Sequence, residues 1–152
     1  FCKESCDKYP VTKRCLEQIE RDKKYDLQSF LELGEYIKGR RDNLRSFLKG
    51  LKDNNKTIYA YGAPVKGNTL LNYMRIDNTI IDKVVEVNPL KIGKYTPGTN
   101  ILVTEESVDD LPDYYLLLSH NFKDEILKKN KDLLDKGVKF IVPFPKVEVI
   151  ES

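Results

Sequence analysis

Two lysines, each set in a glycine-containing turn, are the residues of this chain best suited to chemistry with an anion. Lys66 stands in Gly62-Ala63-Pro64-Val65-Lys66-Gly67-Asn68, and Lys91 in Asn88-Pro89-Leu90-Lys91-Ile92-Gly93-Lys94-Tyr95-Thr96-Pro97-Gly98-Thr99. In the first turn the glycines allow close backbone approach, and Lys66 supplies a cation beside the free N–H groups of a helix start. Such a place suits an anion, most often a phosphate. In the second, Lys91, Lys94 and the Tyr95 phenol are placed to converge on a diphosphate, with Tyr95 stacking on or donating to a sugar. A loop this long and this rich in turn formers is a liability unless it has a task.

Neither of the better-known phosphate loops is spelled out. A dinucleotide fingerprint needs G-x-G-x-x-G, and Gly62 is followed by Ala63 and Pro64; a P-loop needs Gly-Lys-Ser/Thr, and here Lys66 precedes Gly67. Two readings stand side by side. Either the turn binds phosphate, or its glycines only make a strand-to-helix turn and Lys66 is solvated.

The elements that must position these loops follow from periodicity. Residues 57–74 read as strand, tight loop and helix, with Ile58, Tyr59, Ala60 and Tyr61 before Gly62 and Leu70, Leu71 and Met74 after it. Before them, Leu27, Phe30, Leu31, Ile37, Leu44, Phe47, Leu48 and Leu51 share one stripe of a long amphipathic helix. Asp26 is its candidate N-cap, Gly34 and Gly39 weaken it, and Asp53-Asn54-Asn55 ends it. Lys38, Arg40 and Arg41 read as a solvated face or a contact with a phosphate or a neighbouring domain. Residues 1–24, polar and lysine-rich, read as a connecting segment, although Val11, Leu16 and Ile19 would share one short helical face.

After the first unit, residues 80–87 predict a strand ending near Glu86, where an acid of a doubly wound fold often meets a ribose hydroxyl. Glu86 is otherwise an ordinary strand-end carboxylate. Residues 101–104 predict a short strand, 105–111 a helical turn stopped by Pro112, and 113–119 a buried strand. A helix over 121–136 turns Phe122, Ile126, Leu127, Leu133 and Leu134 to the sheet, and Gly137 closes it. Residues 138–142 are the last parallel strand, and Pro143-Phe144-Pro145 opens an extended tail. This alternation predicts an α/β, Rossmann-like, doubly wound parallel sheet over residues 25–150, preceded by a long N-terminal helix. Both lysine loops, and His120 at the end of the fourth strand, fall at the carboxyl edge where such sheets bind ligands. His120 is a ligand contact or a structural residue.

Composition bounds the function. With 152 residues, 40% hydrophobic and 33% charged, the chain is long enough for one globular domain without staples. A net charge of only +2, with both signs interspersed, argues against a nucleic-acid partner. No apolar run reaches spanning length and no signal-peptide pattern is present, so a membrane partner is not expected and a cytoplasmic location is. Cys2, Cys6 and Cys15 form no CxxC pair, which predicts reduced thiols and no metal site. The first residue, Phe1, suggests a piece of something longer.

Three motifs then carry a likeness. Gly62-Ala63-Pro64-Val65-Lys66-Gly67-Asn68-Thr69-Leu70-Leu71-Asn72, Asn88-Pro89-x-Lys91-x-Gly93-x-Tyr95-x-Pro97-Gly98, and Pro112-Asp113-Tyr114 before leucines occur in that order. Over about residues 25–150 they resemble the C-terminal domain of S-adenosylmethionine-dependent sugar C-methyltransferases, enzymes of nucleotide-linked deoxysugars. The resemblance implies a division of labour among an N-terminal zinc-binding region, a middle domain holding S-adenosylmethionine and the catalytic base, and a Rossmann-like C-terminal domain anchoring the nucleotide sugar. Only the last is expected in this chain, with Phe1-Cys2 trailing from the middle domain.

On that reading S-adenosylmethionine binds a separate domain of the same polypeptide, and no cofactor or catalytic residue lies here. The base of the middle domain removes a proton beside a sugar carbonyl, and the carbanion takes the methyl group. The partner is a nucleotide-diphosphate sugar, with a thymidine diphosphate sugar the ligand to test. Lys66 and the Gly67 and Asn68 amides hold phosphate, with Gly62 and Ala63 shaping the turn. Lys91 and Tyr95 close over it, Glu86 reaches a sugar hydroxyl, and Asn88, Lys94, Pro97, Gly98 and His120 complete the site. The chain departs from the family's usual pattern at Glu86-Val87 before the Asn-Pro pair, at Ile92 for Gln, at Asn100 for His, and at Ser119-His120 for Pro-Trp or similar. Ile92 and Asn100 bear on the polar details of sugar recognition. Two rivals from other classes are an interaction or dimerisation module, motivated by Arg40, Arg41 and the long helix, and an NAD-binding domain, weakened by the missing third glycine.

Overall fold

A computed structural model describes residues 11–152. The chain divides into two compact units, one ending at Lys38 and the other Gly39–Ser152. In the first, helix α1 (Lys13–Asp22) starts where the Thr12 hydroxyl accepts from the Cys15 amide at 3.3 Å. A helix therefore stands inside the segment read as a connection. Helix α2 (Leu27–Asp53) begins as its sequence predicts: Asp26 Oδ1 accepts from the Ser29 amide at 2.8 Å. Cys2, Cys6 and Phe1 lie outside the described residues, and Cys15 is an exposed free thiol.

The stripe of α2 is buried only over its second half. Leu44 and Leu48 are buried, and Phe47 and Leu51 pack against the same core, whereas Leu27, Phe30 and Leu31 are exposed. Asn54 and Asn55 end the helix as expected: the Asn54 side chain donates to the Gly50 carbonyl at 2.7 Å, and Asn55 adopts φ 58°.

The second unit is built on a six-stranded sheet in the order β3-β2-β1-β4-β5-β6. Its strands are β1 (Ile58–Tyr61), β2 (Lys83–Val85), β3 (Val103–Thr104), β4 (Tyr114–Leu117), β5 (Lys139–Val142) and β6 (Glu148–Ile150). The first five run parallel, with Ala60 opposite Val84 on one side and Leu116 on the other. Strand β6 lies antiparallel on β5. The tail after Pro143 thus returns as a sixth strand, which its proline-rich approach conceals. The doubly wound, Rossmann-like expectation is met, and the order reverses between β1 and β4, where such sheets bind ligands.

Alternation along the strands sorts the core into two layers. Ile58, Ala60, Val84, Leu116 and Ile141 pack on one face against Leu44 and Leu48 of α2 and Leu71 and Met74 of helix α3 (Val65–Met74). Tyr59, Val85, Tyr115, Leu117 and Phe140 pack on the other against Ile126, Leu127, Leu133 and Leu134. The expected single helix over 121–136 is interrupted. A 3-10 turn (His120–Phe122), α4 (Lys123–Lys129) and α5 (Lys131–Asp135) meet at Asn130, whose buried amide donates to Tyr61 Oη and the Ile126 carbonyl. Serving a side-chain partner on β1 outweighs helix continuity there. Residues 105–111 form turns rather than a helix.

Asp113, of the third motif, locks the amino edge of the sheet. Its Oδ2 accepts from the Thr57 amide at 2.8 Å and its own amide donates to Thr57 Oγ1 at 2.8 Å, so β4 is pinned beside β1. Asp82 does the same for β2, accepting from the Ile58 amide and Lys52. These carboxylates lie at the opposite edge from the lysine loops.

Candidate functional site

At the carboxyl edge β1 ends in Gly62, whose φ of 81° only glycine adopts without strain. Its amide donates to the Val85 carbonyl at 2.9 Å, which holds the turn against β2. Pro64 is the N-cap of α3, and the first helical bond runs from the Asn68 amide to the Pro64 carbonyl. No side chain caps this helix. The amides of Val65, Lys66 and Gly67 therefore occupy its first turn, where a helix has no carbonyls of its own to offer.

Gly67 has a packing task. A Cβ there would lie 2.7 Å from the Leu118 Cβ and 3.1 Å from Pro64 Cγ, so its absence lets α3 settle onto the end of β4. The sequence offers phosphate binding or the turn itself as this glycine's task, and neither names the contact with Leu118.

The second loop is folded against β3 rather than loose. Asn88 Oδ1 accepts from the Leu90 amide, the Gly93 amide donates to the Val103 carbonyl at 2.9 Å, and the Val103 amide donates to the Lys94 carbonyl at 2.8 Å. The buried hydroxyls of Thr96 and Thr99 pair at 2.7 Å. Its tip is fastened to α3: Asn72 Nδ2 donates to the Pro97 carbonyl at 3.0 Å, and a Cβ at Gly98 would stand 2.2 Å from Asn72 Oδ1. Asn72 went unremarked as a site residue, although it sits one turn beyond Asn68 on the same helical face.

Glu86 and Lys91 join the two loops. Glu86 Oε2 accepts from the Ala63 amide and from Lys91 Nζ, both at 3.0 Å, and Oε1 accepts from the amides of Val87 and Asn88. Lys91 Nζ also donates to the Ala63 carbonyl at 2.9 Å. Burial pushes the Glu86 carboxyl up, but the Lys91 ammonium and the Ala63, Asn88 and Val87 amides outweigh it and hold the group below its ordinary value. A carboxylate has about four lone-pair sites, and four donors fill them here. The sequence sends Glu86 to a sugar hydroxyl; in this structure both its oxygens are engaged by groups of the chain itself.

Two adjacent cavities result. The first, of about 160 Å³, is walled by Ala63, Pro64, Leu71, Pro97, Val103 and Leu118, with Asn68, Lys91, Lys94, Tyr95 and Thr96 also at its lining. The second, of about 340 Å³, is lined by Lys66, Ser119, His120, Asn121 and Phe122 and shares Pro64 and Leu118 with the first. Lys66 and Lys91 therefore do not face one hollow, as their sequence context implied, but neighbouring hollows on either side of the start of α3. Gly62 and Glu86 line a third cleft of about 120 Å³ with Tyr61, Glu106 and Lys129. Asn88, Gly67 and Gly98 shape turns and packing, and line none of these cavities.

Asn68, at the lining of the first cavity, and His120, at that of the second, each have a buried polar atom without a partner among the described residues, Oδ1 and Nδ1 respectively. The His120 ring packs 5.9 Å from that of Phe144. Among the described residues no cluster of His, Cys, Asp and Glu could hold a metal ion, and no helix is long and apolar enough to cross a membrane.

Comparison with known proteins places this architecture. The chain is 37% identical over 114 residues to C-methyltransferase NovU of Streptomyces niveus, an alignment covering 74% of this chain and 27% of that protein. The chain thus spans about a quarter of its relative's length. The sequence pattern of the C-methyltransferase C-terminal domain matches residues 2–145, both lysine loops and all five parallel strands included. The chain belongs to the C-methyltransferase C-terminal domain family.

Proposed function

We propose that this domain anchors a nucleotide-diphosphate sugar for C-methylation, with the chemistry carried by another part of the same polypeptide. The observation that supports the reading is the tie from Lys91 to Ala63 and Glu86, which draws the loop after β2 onto the loop after β1 and leaves hollows on both sides of an uncapped helix start. Oriented amides and the Lys66 ammonium at that start suit the diphosphate. Lys94 and Tyr95 stand exposed at the rim of the smaller hollow, ready to close on a bound ligand.

On this reading the methyl donor is held by a separate domain of the same polypeptide, and the engagement of both Glu86 oxygens by Ala63, Lys91, Val87 and Asn88 supports it over an NAD site, where a strand-end acid commonly meets the ribose. The contribution of this chain is positioning, which by itself is worth several kcal/mol of a reaction barrier.

Calorimetric titration of the full-length protein with a thymidine diphosphate sugar tests the reading. Saturable heat, reduced by Lys66→Ala, is the expected result, and silence at millimolar ligand sinks it. A second reading, an interaction module, is favoured by the exposed Leu27, Phe30 and Leu31 on α2. Light scattering after size exclusion separates the two, because a protein that binds the sugar nucleotide as a strict monomer has no dimerisation role for that face.

A further inference from the structure

Helix α2 has two unlike halves. Leu44 and Leu48 of the second are buried in the core of the sheet, whereas α1 and the first half of α2 contain no buried residue. Leu27, Phe30, Leu31, Leu33 and Tyr36, all large and apolar, are each between 49% and 75% exposed. At about 100° per residue they occupy about 220° of the helix circumference, and Gln28, Glu32 and Glu35 share the remaining side. An ordinary surface helix turns a stripe of about 100° to its core; an apolar arc twice that wide belongs to a helix covered from more than one side. Gly34 falls inside the arc, between Leu27 and Phe30. A Cβ there would meet nothing within 4 Å, so the packing of this chain does not call for a glycine that weakens the helix. What the glycine provides is a notch in the apolar surface, where another backbone can come close.

Area decides between a second copy and a tethered partner. The five side chains leave roughly 500 Å² open, and a mate lying along one side of the helix would cover about half of it. A stable complex of free partners takes about 800 Å² from each. A partner on the same polypeptide needs less, because the tether keeps it at an effective concentration of about millimolar. Nearly three quarters of the NovU protein lies outside the part aligned with this chain, which is length enough for such a partner in that relative. Resting on the reading that another part of the same polypeptide carries the chemistry, we infer that the first half of α2 seats in an apolar groove of that part, with Gly34 at the point of closest approach. One continuous helix then holds the catalytic part at one end and is anchored in the core of the sheet at the other.

The test uses the full-length protein, with trypsin cleavage at the Lys23-Lys24 turn and light scattering as readouts. Two variants are compared with the unaltered protein: Phe30→Gln combined with Leu31→Gln, which keeps good helix formers, and Gly34→Arg, which fills the notch and strengthens the helix itself. Each is expected to speed cleavage roughly tenfold and to enlarge the radius of gyration, with the mass unchanged. Faster cleavage of Gly34→Arg cannot come from a weaker helix, so it reports lost seating. If the unaltered protein is cut as fast as the variants, the face is open to water and the inference fails. If the mass halves in the variants, a second copy covers the face and the inference fails as well. Titration with a thymidine diphosphate sugar, run on the same unaltered protein, keeps the two readings apart. Slow cleavage without heat leaves the seating in place and sinks the sugar reading; heat with fast cleavage does the reverse.

Discussion

Lys91 Nζ lies 2.9 Å from the carbonyl oxygen of Ala63, a contact across 28 positions of sequence that joins the loop after β1 to the loop after β2. The same ammonium reaches Glu86 Oε2 at 3.0 Å. The lysine that motif reasoning sent to a phosphate spends two of its three donors on the fold. The tie sets part of the wall of the smaller cavity.

Lys91→Met should therefore act without any ligand present. Lys91 is partly exposed, so the loss is modest, about 1 kcal/mol. Denaturant unfolding measures it, and amide exchange at Leu90 and Lys91 should quicken. Unchanged unfolding with unchanged exchange would show that the tie holds nothing in place.

Glu86 carries a pH signature. Its native carboxyl titrates below the ordinary 4.5, so its contribution is complete above that value and disappears as pH falls through the lower native one. Glu86→Gln should cost about 2 kcal/mol at neutral pH, since a donor amide then faces the Ala63 amide and Lys91. The difference between the two proteins should shrink progressively once pH drops below the ordinary carboxyl range. Thermal unfolding across that range checks it; a gap that stays constant into strong acid contradicts the assignment.

Gly67→Ala separates packing from phosphate. The added methyl meets the Leu118 Cβ, an atom next to the backbone that cannot swing aside, so α3 must shift off β4. A loss of about 1–3 kcal/mol is expected in the ligand-free protein. Were stability unchanged and only ligand affinity reduced, the glycine would be serving the ligand instead.

Tyr115→Phe should do no harm. The ring is fully buried, edge-on to Tyr61 at 5.4 Å and stacked on Phe140 at 5.4 Å, but its hydroxyl has no partner among the described groups. Removing that oxygen keeps the ring contacts and relieves an unsatisfied polar group, for a gain of up to about 1 kcal/mol. A clear drop in melting temperature would reveal a partner for the hydroxyl, such as a buried water.

Local periodicity and turn chemistry were readable in the chain itself. The Asp26 cap, the long helix to Asp53, the strand-turn-helix around Gly62 and the parallel alternation after it depend on neighbours within about a turn, so residue order alone determines them. Meetings between distant residues were not readable. Lys91 pairs with Ala63, Asn72 holds Pro97, and Asn130 leaves its helix for Tyr61. Each depends on the strand order that sets β2 and β4 on either side of β1. The same order puts Lys66 and Lys91 in separate hollows, buries only half of the α2 stripe, and gives the tail after Pro143 an edge to pair with. Spacing along a chain encodes which face a side chain shares with its near neighbours. Which far partner fills its hydrogen bonds is a property of packed elements, and it was decided only when the sheet closed around β1.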